Sequence, residues 1–267
     1  MKKIIIISVI SVIVLCAIIF GTYLIMNTIA NSETITTTTT TTMLDNDPDD
    51  SDVSVDQPSA NDVILGLTED AGDEYMDKIY FVGDSTTYHF HKGGIDKSHL
   101  FVPESLTLLL SSSTASEIVG SNGLTIPEAL KEVNAEIVII TIGVNGADSF
   151  TEVRYKTYYK KLIDAIQEAS PNTTIILQSV FPVTKAYSDL NKGITNEGIN
   201  RLNEWAKEIA FDEGIRYLDT QSILKDENGA QFEEYNEEDG VHMNAAAYRE
   251  IIKYIRTHAV QQGDIYE

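Results

Sequence analysis

Three short segments of this 267-residue chain carry side chains suited to acyl-transfer chemistry. Gly83-Asp84-Ser85 ends the apolar run Tyr80-Phe81-Val82, Gly143-Val144-Asn145 ends a second apolar run, and Asp239-Gly240-Val241-His242 lies near the C-terminus. A serine hydroxyl needs a base to become a nucleophile, and the base needs an acid to orient it. Asp239 and His242, three residues apart, can set a carboxylate against one imidazole nitrogen and leave the other facing Ser85. The oxyanion that develops needs donors aimed at it. The backbone N–H of Ser85 and the side-chain amide of Asn145 suit that task. Asp84 adjoins the serine, but its side chain is expected to point elsewhere and stabilise the turn. Each segment alone is a common turn. Their weight comes from occurring together, in this order, at the ends of strand-like runs.

Those runs belong to an alternating pattern. Strands are expected at residues 78–83, 100–102, 136–143, 173–180 and 215–219. The unbroken apolar stretch Ile137-Val138-Ile139-Ile140 is that of a strand covered on both faces. Thr125-Ile126-Pro127-Glu128 has the form of a capping box opening a helix to about Val133. Further helices are expected at residues 151–169 (Tyr155, Tyr158, Leu162 and Ile166 apolar), 196–212 (Ile199, Leu202, Ala206, Ile209) and 244–259 (Tyr248, Ile251, Ile252, Ile255). Alternating strands and helices imply an α/β domain with a parallel sheet and helices on both faces. Sites in such sheets form beyond the carboxyl ends of the strands. Ser85 and Asn145 each fall just past a strand end, and so belong on one edge. His242 precedes the last helix and can reach the same edge.

A second group is His89-Phe90-His91, followed by Asp96 and His99. In an extended segment His89 and His91 would share a face, as metal ligands do. No H-E-x-x-H or comparable pattern completes them, so the expectation is that they line the pocket mouth or pack locally, and no metal site is assigned. Tyr155, Tyr158 and Tyr159 read as core and half-exposed packing, and Trp205, the only tryptophan, as part of an amphipathic helix.

Taken together, the three segments resemble the SGNH/GDSL hydrolases over roughly residues 75–260. The resemblance implies a three-layer α/β/α, flavodoxin-like fold and hydrolysis of carboxylic esters without a cofactor. It implies Ser85 as nucleophile, with Asp239 and His242 completing a triad, and Asn145 as an oxyanion donor. The sequence departs from the family at two places. The first block reads Gly83-Asp84-Ser85-Thr86-Thr87, and Asn145 is followed by Gly146 where many members have Asp. The family's glycine donor has no clean counterpart. Gly120 is the best candidate by position, with the turn at Pro103-Glu104-Ser105-Leu106-Thr107 as the alternative. Because His242 must be neutral to act as base, activity is expected to fall on acidification through the imidazole range.

The N-terminus sets the expected location. Lys2 and Lys3 precede an uncharged stretch, residues 4–26, long enough to span a hydrocarbon core of about 30 Å. No basic residue recurs before Lys78, so the positive-inside rule puts the N-terminus in the cytoplasm and the rest outside. Residues 1–29 are thus expected to be a single-pass signal anchor, residues 30–65 a disordered linker with a threonine tract at 36–42 and an acidic run after it, and residues 66–267 the hydrolase-like domain. Cys16 is the only cysteine, which excludes a disulfide framework. The net charge is −22, and from Lys78 onward 28 acids oppose 17 bases, a net of −11. That balance argues against nucleic acid and anionic lipid as partners. The expected partners are a small acyl ester or an acylated polysaccharide, with O-acetyl groups of cell-wall or surface polysaccharide suggested by analogy. Three other readings stay open: a lipid-directed esterase, an acyltransferase, and a non-catalytic surface module binding glycan or protein.

Overall fold

The structure, a computed structural model, describes residues 60–102, 118–119 and 123–261. The expected anchor at residues 1–29, the linker up to residue 59, Gly120 and residues 103–107 lie outside them. No helix among the described residues is long and apolar enough to cross a membrane.

After a short helix α1 (Gly72–Met76), β1 (Ile79–Gly83) runs into a one-turn helix α2 (Ser85–Tyr88). Two 3-10 turns lead to β2 (Leu100–Phe101). A two-stranded antiparallel ribbon, β3 (Ile118–Val119) with β4 (Leu124–Thr125), precedes α3 (Ile126–Glu132). Then follow β5 (Ile137–Thr141), α4 (Glu152–Ala169), β6 (Thr174–Gln178), α5 (Lys185–Asp189), α6 (Asn196–Asp212), β7 (Arg216–Leu218) and α7 (Ala245–Thr257). The main sheet has the order β2-β1-β5-β6-β7 and every pairing in it is parallel. Its order reverses between β1 and β5, which is where open parallel sheets form their ligand crevice.

The helices begin where side chains can satisfy the free N–H groups of a first turn. Thr125 and Glu128 form the reciprocal capping box anticipated for α3. Thr151, Thr184, Thr195 and Asn244 cap α4, α5, α6 and α7. Such caps contribute about 1 kcal/mol each. Strand side chains alternate between two faces, and the two halves of the core follow that alternation. Val82, Val138, Ile140, Ile175 and Leu177 pack with α3, α4 and α6, whereas Phe81, Ile139 and Ile176 pack with α7, Phe90 and Phe181. The result is three layers. On α4 the buried stripe is Tyr155, Tyr159, Leu162, Ile163 and Ile166. Tyr158, expected in that stripe, is only partly buried, and Tyr159 takes its place one turn beyond Tyr155.

The segment from residue 60 to 65, assigned above to the linker, instead belongs to the domain. Ile64 forms a parallel bridge with Tyr217, the Leu65 N–H donates to Tyr217 O at 2.8 Å, and Val63 and Leu65 are buried. Two apolar side chains covered against the edge strand outweigh the local polar composition.

Candidate functional site

The turn between β1 and α2 admits no side chain at its glycine. A Cβ on Gly83 would lie 1.8 Å from Thr87 Oγ1 and 2.4 Å from Thr141 O, so α2 sits directly on the strand ends. Asp84 caps α2. Its Oδ1 accepts from the Thr86 N–H at 3.1 Å and Thr86 Oγ1 at 2.8 Å, and its Oδ2 accepts from the Gly143 N–H at 3.2 Å. The carboxylate thus turns away from Ser85, as expected, and also ties the end of β1 to the end of β5. Burial pushes its pKa up, against the pull of these hydrogen bonds. Ser85 is the first residue of α2 and is exposed. Its N–H belongs to the helix's first turn, which has no intrahelical acceptor.

Asn145 stands past the end of β5 on a 3-10 turn, Val144–Gly146, and is exposed. Two tyrosines of α4 fix the backbone beneath it. Tyr159 Oη donates to Ile142 O at 2.9 Å and accepts from the Ile142 N–H at 3.0 Å, and Tyr155 Oη donates to the same carbonyl at 3.4 Å. These hydroxyls are fully buried, and burial raises the pKa of Tyr159 and of Tyr155 far above neutrality, so both remain donors. Sequence spacing placed them in the core. Their grip on the strand end was not anticipated, because periodicity reports a face and not a hydrogen bond.

The loop before α7 brings the third segment in. Asp239 Oδ1 accepts from the N–H groups of Val241 and His242, both at 2.8 Å. Its Oδ2 meets His242 Nδ1 at 2.6 Å. On the far side of the ring, His242 Nε2 lies 3.0 Å from Ser85 Oγ. An ionised carboxylate only accepts, so Nδ1 carries the proton and Nε2 is free to accept from the serine. Burial opposes the charge on Asp239, but the bonds from His242 and Val241 prevail and hold its pKa below the ordinary value. Gly240 makes the loop possible. Its φ is +83°, and a Cβ there would lie 2.7 Å from Tyr187 Cβ and 2.9 Å from Thr184 Oγ1.

Four of the five residues expected at the site therefore meet on the carboxyl edge of the sheet. Ser85, Asp239 and His242 form one hydrogen-bonded series, and Asn145 stands on the adjoining strand end. The fifth, Gly120, lies outside the described residues. The series can transfer a proton from the serine hydroxyl to the imidazole while the carboxylate stabilises the resulting imidazolium.

The histidine group behaves otherwise than an extended segment would. His89–Gly93 is a 3-10 helix and not an extended segment; the His89 and His91 rings meet edge to face, with centres 6.1 Å apart. His91 Nδ1 donates to Tyr88 O at 2.7 Å, His99 Nδ1 bonds Ile79 O at 2.8 Å, and Asp96 caps the next turn through Ser98. No group that could hold a metal ion occurs among the described residues. His89 instead packs on His242, with ring centres 4.7 Å apart. Its Nδ1 is buried without a hydrogen-bond partner. Burial, then the charge of Lys92, lowers its pKa to about 4. Lys92 is paired with Glu237, which links this turn to the loop carrying Asp239.

The family model for GDSL-like lipases and acylhydrolases matches residues 81–250, which takes in all three segments. The chain belongs to that family, the SGNH/GDSL hydrolases. Among solved structures it is similar to a protein described as an SGNH hydrolase from Slackia heliotrinireducens, at 16% identity and a TM-score of 0.50, covering 67% of this chain and 97% of that one. It is also similar to the periplasmic domain of a lipopolysaccharide acetyltransferase from Salmonella ser. Paratyphi A (16%, TM-score 0.49, 66% and 81%). A mutant acetyl-xylooligosaccharide esterase from Geobacillus matches as well (16%, TM-score 0.47, 68% and 94%). No curated protein matches the sequence.

Proposed function

We propose that the chain is a serine esterase in which Ser85, His242 and Asp239 act as a triad. The observation that carries this reading is the unbroken series from Ser85 Oγ through His242 to Asp239, at 3.0 and 2.6 Å. Ser85 Oγ bonds to the ester carbonyl carbon as His242 Nε2 takes its proton. The tetrahedral oxyanion is held by the Ser85 N–H and the Asn145 amide, with the Gly120 N–H as a third donor. The carbon–oxygen bond to the alcohol then breaks, and the proton on Nε2 goes to the leaving oxygen. Water, deprotonated by the same nitrogen, cleaves the acyl-serine and restores Ser85. Water is the only co-reactant these steps require.

The apolar run at residues 4–26 and the flanking Lys2 and Lys3 support an anchored, extracytoplasmic setting. That setting favours O-acyl groups of wall or surface polysaccharide as substrate. In the full chain, hydrolysis of p-nitrophenyl acetate is expected to fall on the order of 10⁶-fold in Ser85→Ala, and labelling by a fluorophosphonate to vanish with it. A folded variant that keeps either signal moves the nucleophile elsewhere. A wild-type chain without turnover or labelling retires the esterase reading.

A further inference from the structure

We propose that Tyr88 is a stacking platform for a sugar ring in the alcohol part of the ester, so that the substrates are acylated glycans; this rests on the esterase reading above. Tyr88 is 42% exposed, more than any other aromatic side chain among the described residues. An aromatic ring left in water forgoes its burial energy, yet this one is held in place. Lys97 Nζ donates to its hydroxyl at 3.0 Å and lies over the ring, 5.2 Å from its centre. The His91 ring lies 4.9 Å away and is fastened by its own bond to the Tyr88 carbonyl. A ring ordered before the ligand arrives loses little entropy on binding.

Its position is as telling as its exposure. Tyr88 follows Ser85 by three residues on α2, hence on the same side of that helix. Ring centres run from Tyr88 to His89 at 6.1 Å and from His89 to His242 at 4.7 Å. Tyr88 is thus one ring beyond the wall of the triad, where the group attached to an ester oxygen at Ser85 would extend. A pyranose ring suits the platform. Its C–H face packs on the electron-rich aromatic face, and its edge hydroxyls meet Lys97 and the free nitrogen of His91. An acyl chain would need a continuous apolar lining, whereas the flanks here are an ammonium and an imidazole.

The test separates the platform from the esterase reading. In full chains carrying Ser85→Ala, binding of O-acetylated chitotetraose and O-acetylated xylotetraose is measured by titration calorimetry, with and without Tyr88→Ala. At least one glycan should bind, and Tyr88→Ala should weaken it about tenfold, whereas Tyr88→Phe keeps most of the affinity. With Ser85 intact, Tyr88→Ala should lower kcat/KM for the bound glycan about tenfold more than for ethyl acetate, which has no ring to stack. If ethyl acetate is hydrolysed but neither glycan binds, or Tyr88→Ala binds as tightly as its parent, the platform is overturned and the esterase stands. If Tyr88-dependent binding occurs without hydrolysis of any ester, the esterase reading falls and Tyr88 stands as a glycan-binding platform alone. A loss of activity toward p-nitrophenyl palmitate that exceeds the loss toward the glycans makes an acyl chain the occupant and also overturns the proposal.

Discussion

Asp84 and His89 flank the nucleophile without belonging to the hydrogen-bonded series, and each leads to a measurable outcome. Asp84 satisfies three donors, one of them the N–H of Gly143 on another strand. Asp84→Ala removes a helix cap and strands a buried N–H, so unfolding free energy should drop by roughly 2–4 kcal/mol. Denaturant unfolding would show it, and a change within experimental error would mean that water replaces the carboxylate. His89 makes folding pH-dependent. Its folded pKa of about 4 lies below the ordinary 6.5, so the unfolded chain takes up this proton first as pH falls. The contribution is fully present above pH 6.5 and is lost as pH drops toward 4. In His89→Gln the melting temperature should decline less across that window. An unchanged slope would assign the proton uptake to other groups. Lys92, Glu237 and His242 all face His89 and modulate the same titration.

At the level of elements, what could be read in the sequence was set by how long each pattern runs. The strands of the main sheet and the long helices α4, α6 and α7 fall within a few residues of expectation; the helices repeat their period several times, and the strands are short runs rich in apolar residues between them. The capping box at Thr125 and Glu128 was legible for the same kind of reason, since residue types at fixed spacing dictate it. Short pieces carry no period. α1, α5 and the 3-10 turn at His89–Gly93 were not anticipated, and reading that turn as extended suggested a parallel pair of histidines where the rings instead meet edge to face. The hydrogen-bonded series was readable as two motifs, one past a strand end and one before the last helix, but its supports were not: Gly240 fits under Tyr187 and Thr184, and Tyr159 braces Ile142. Tyr159→Phe tests that brace. It leaves the Ile142 N–H unpaired, so stability should fall by about 1–3 kcal/mol. Because Asn145 rides on that strand end, kcat for p-nitrophenyl acetate should fall with it, and an unaffected kcat would show that the turn at Val144 holds its shape unaided.

At the scale of the domain, the parallel sheet has a direction, and Ser85, Asn145, Asp239 and His242 all lie at its carboxyl edge. The segment at residues 60–65 completes the opposite region by running beside β7, with Val63 and Leu65 at 1% and 4% exposure. A chain shortened to begin at residue 67 should therefore lose roughly 2–4 kcal/mol against one beginning at residue 60, as read by thermal unfolding. Equal stability would show that the edge of β7 needs no cover. The C-terminal helix follows the same geometry. It starts three residues after His242 and runs 13 residues, so its end lies about 20 Å from the imidazole. There Thr257 O accepts from the Thr68 N–H, and Arg256 grips Asp70 and Asp73. Residues 68–73 and the end of α7 thus lie together, away from Ser85. A support coupled beside Thr68 or Thr257 should therefore leave the edge that carries Ser85 open to bulky molecules.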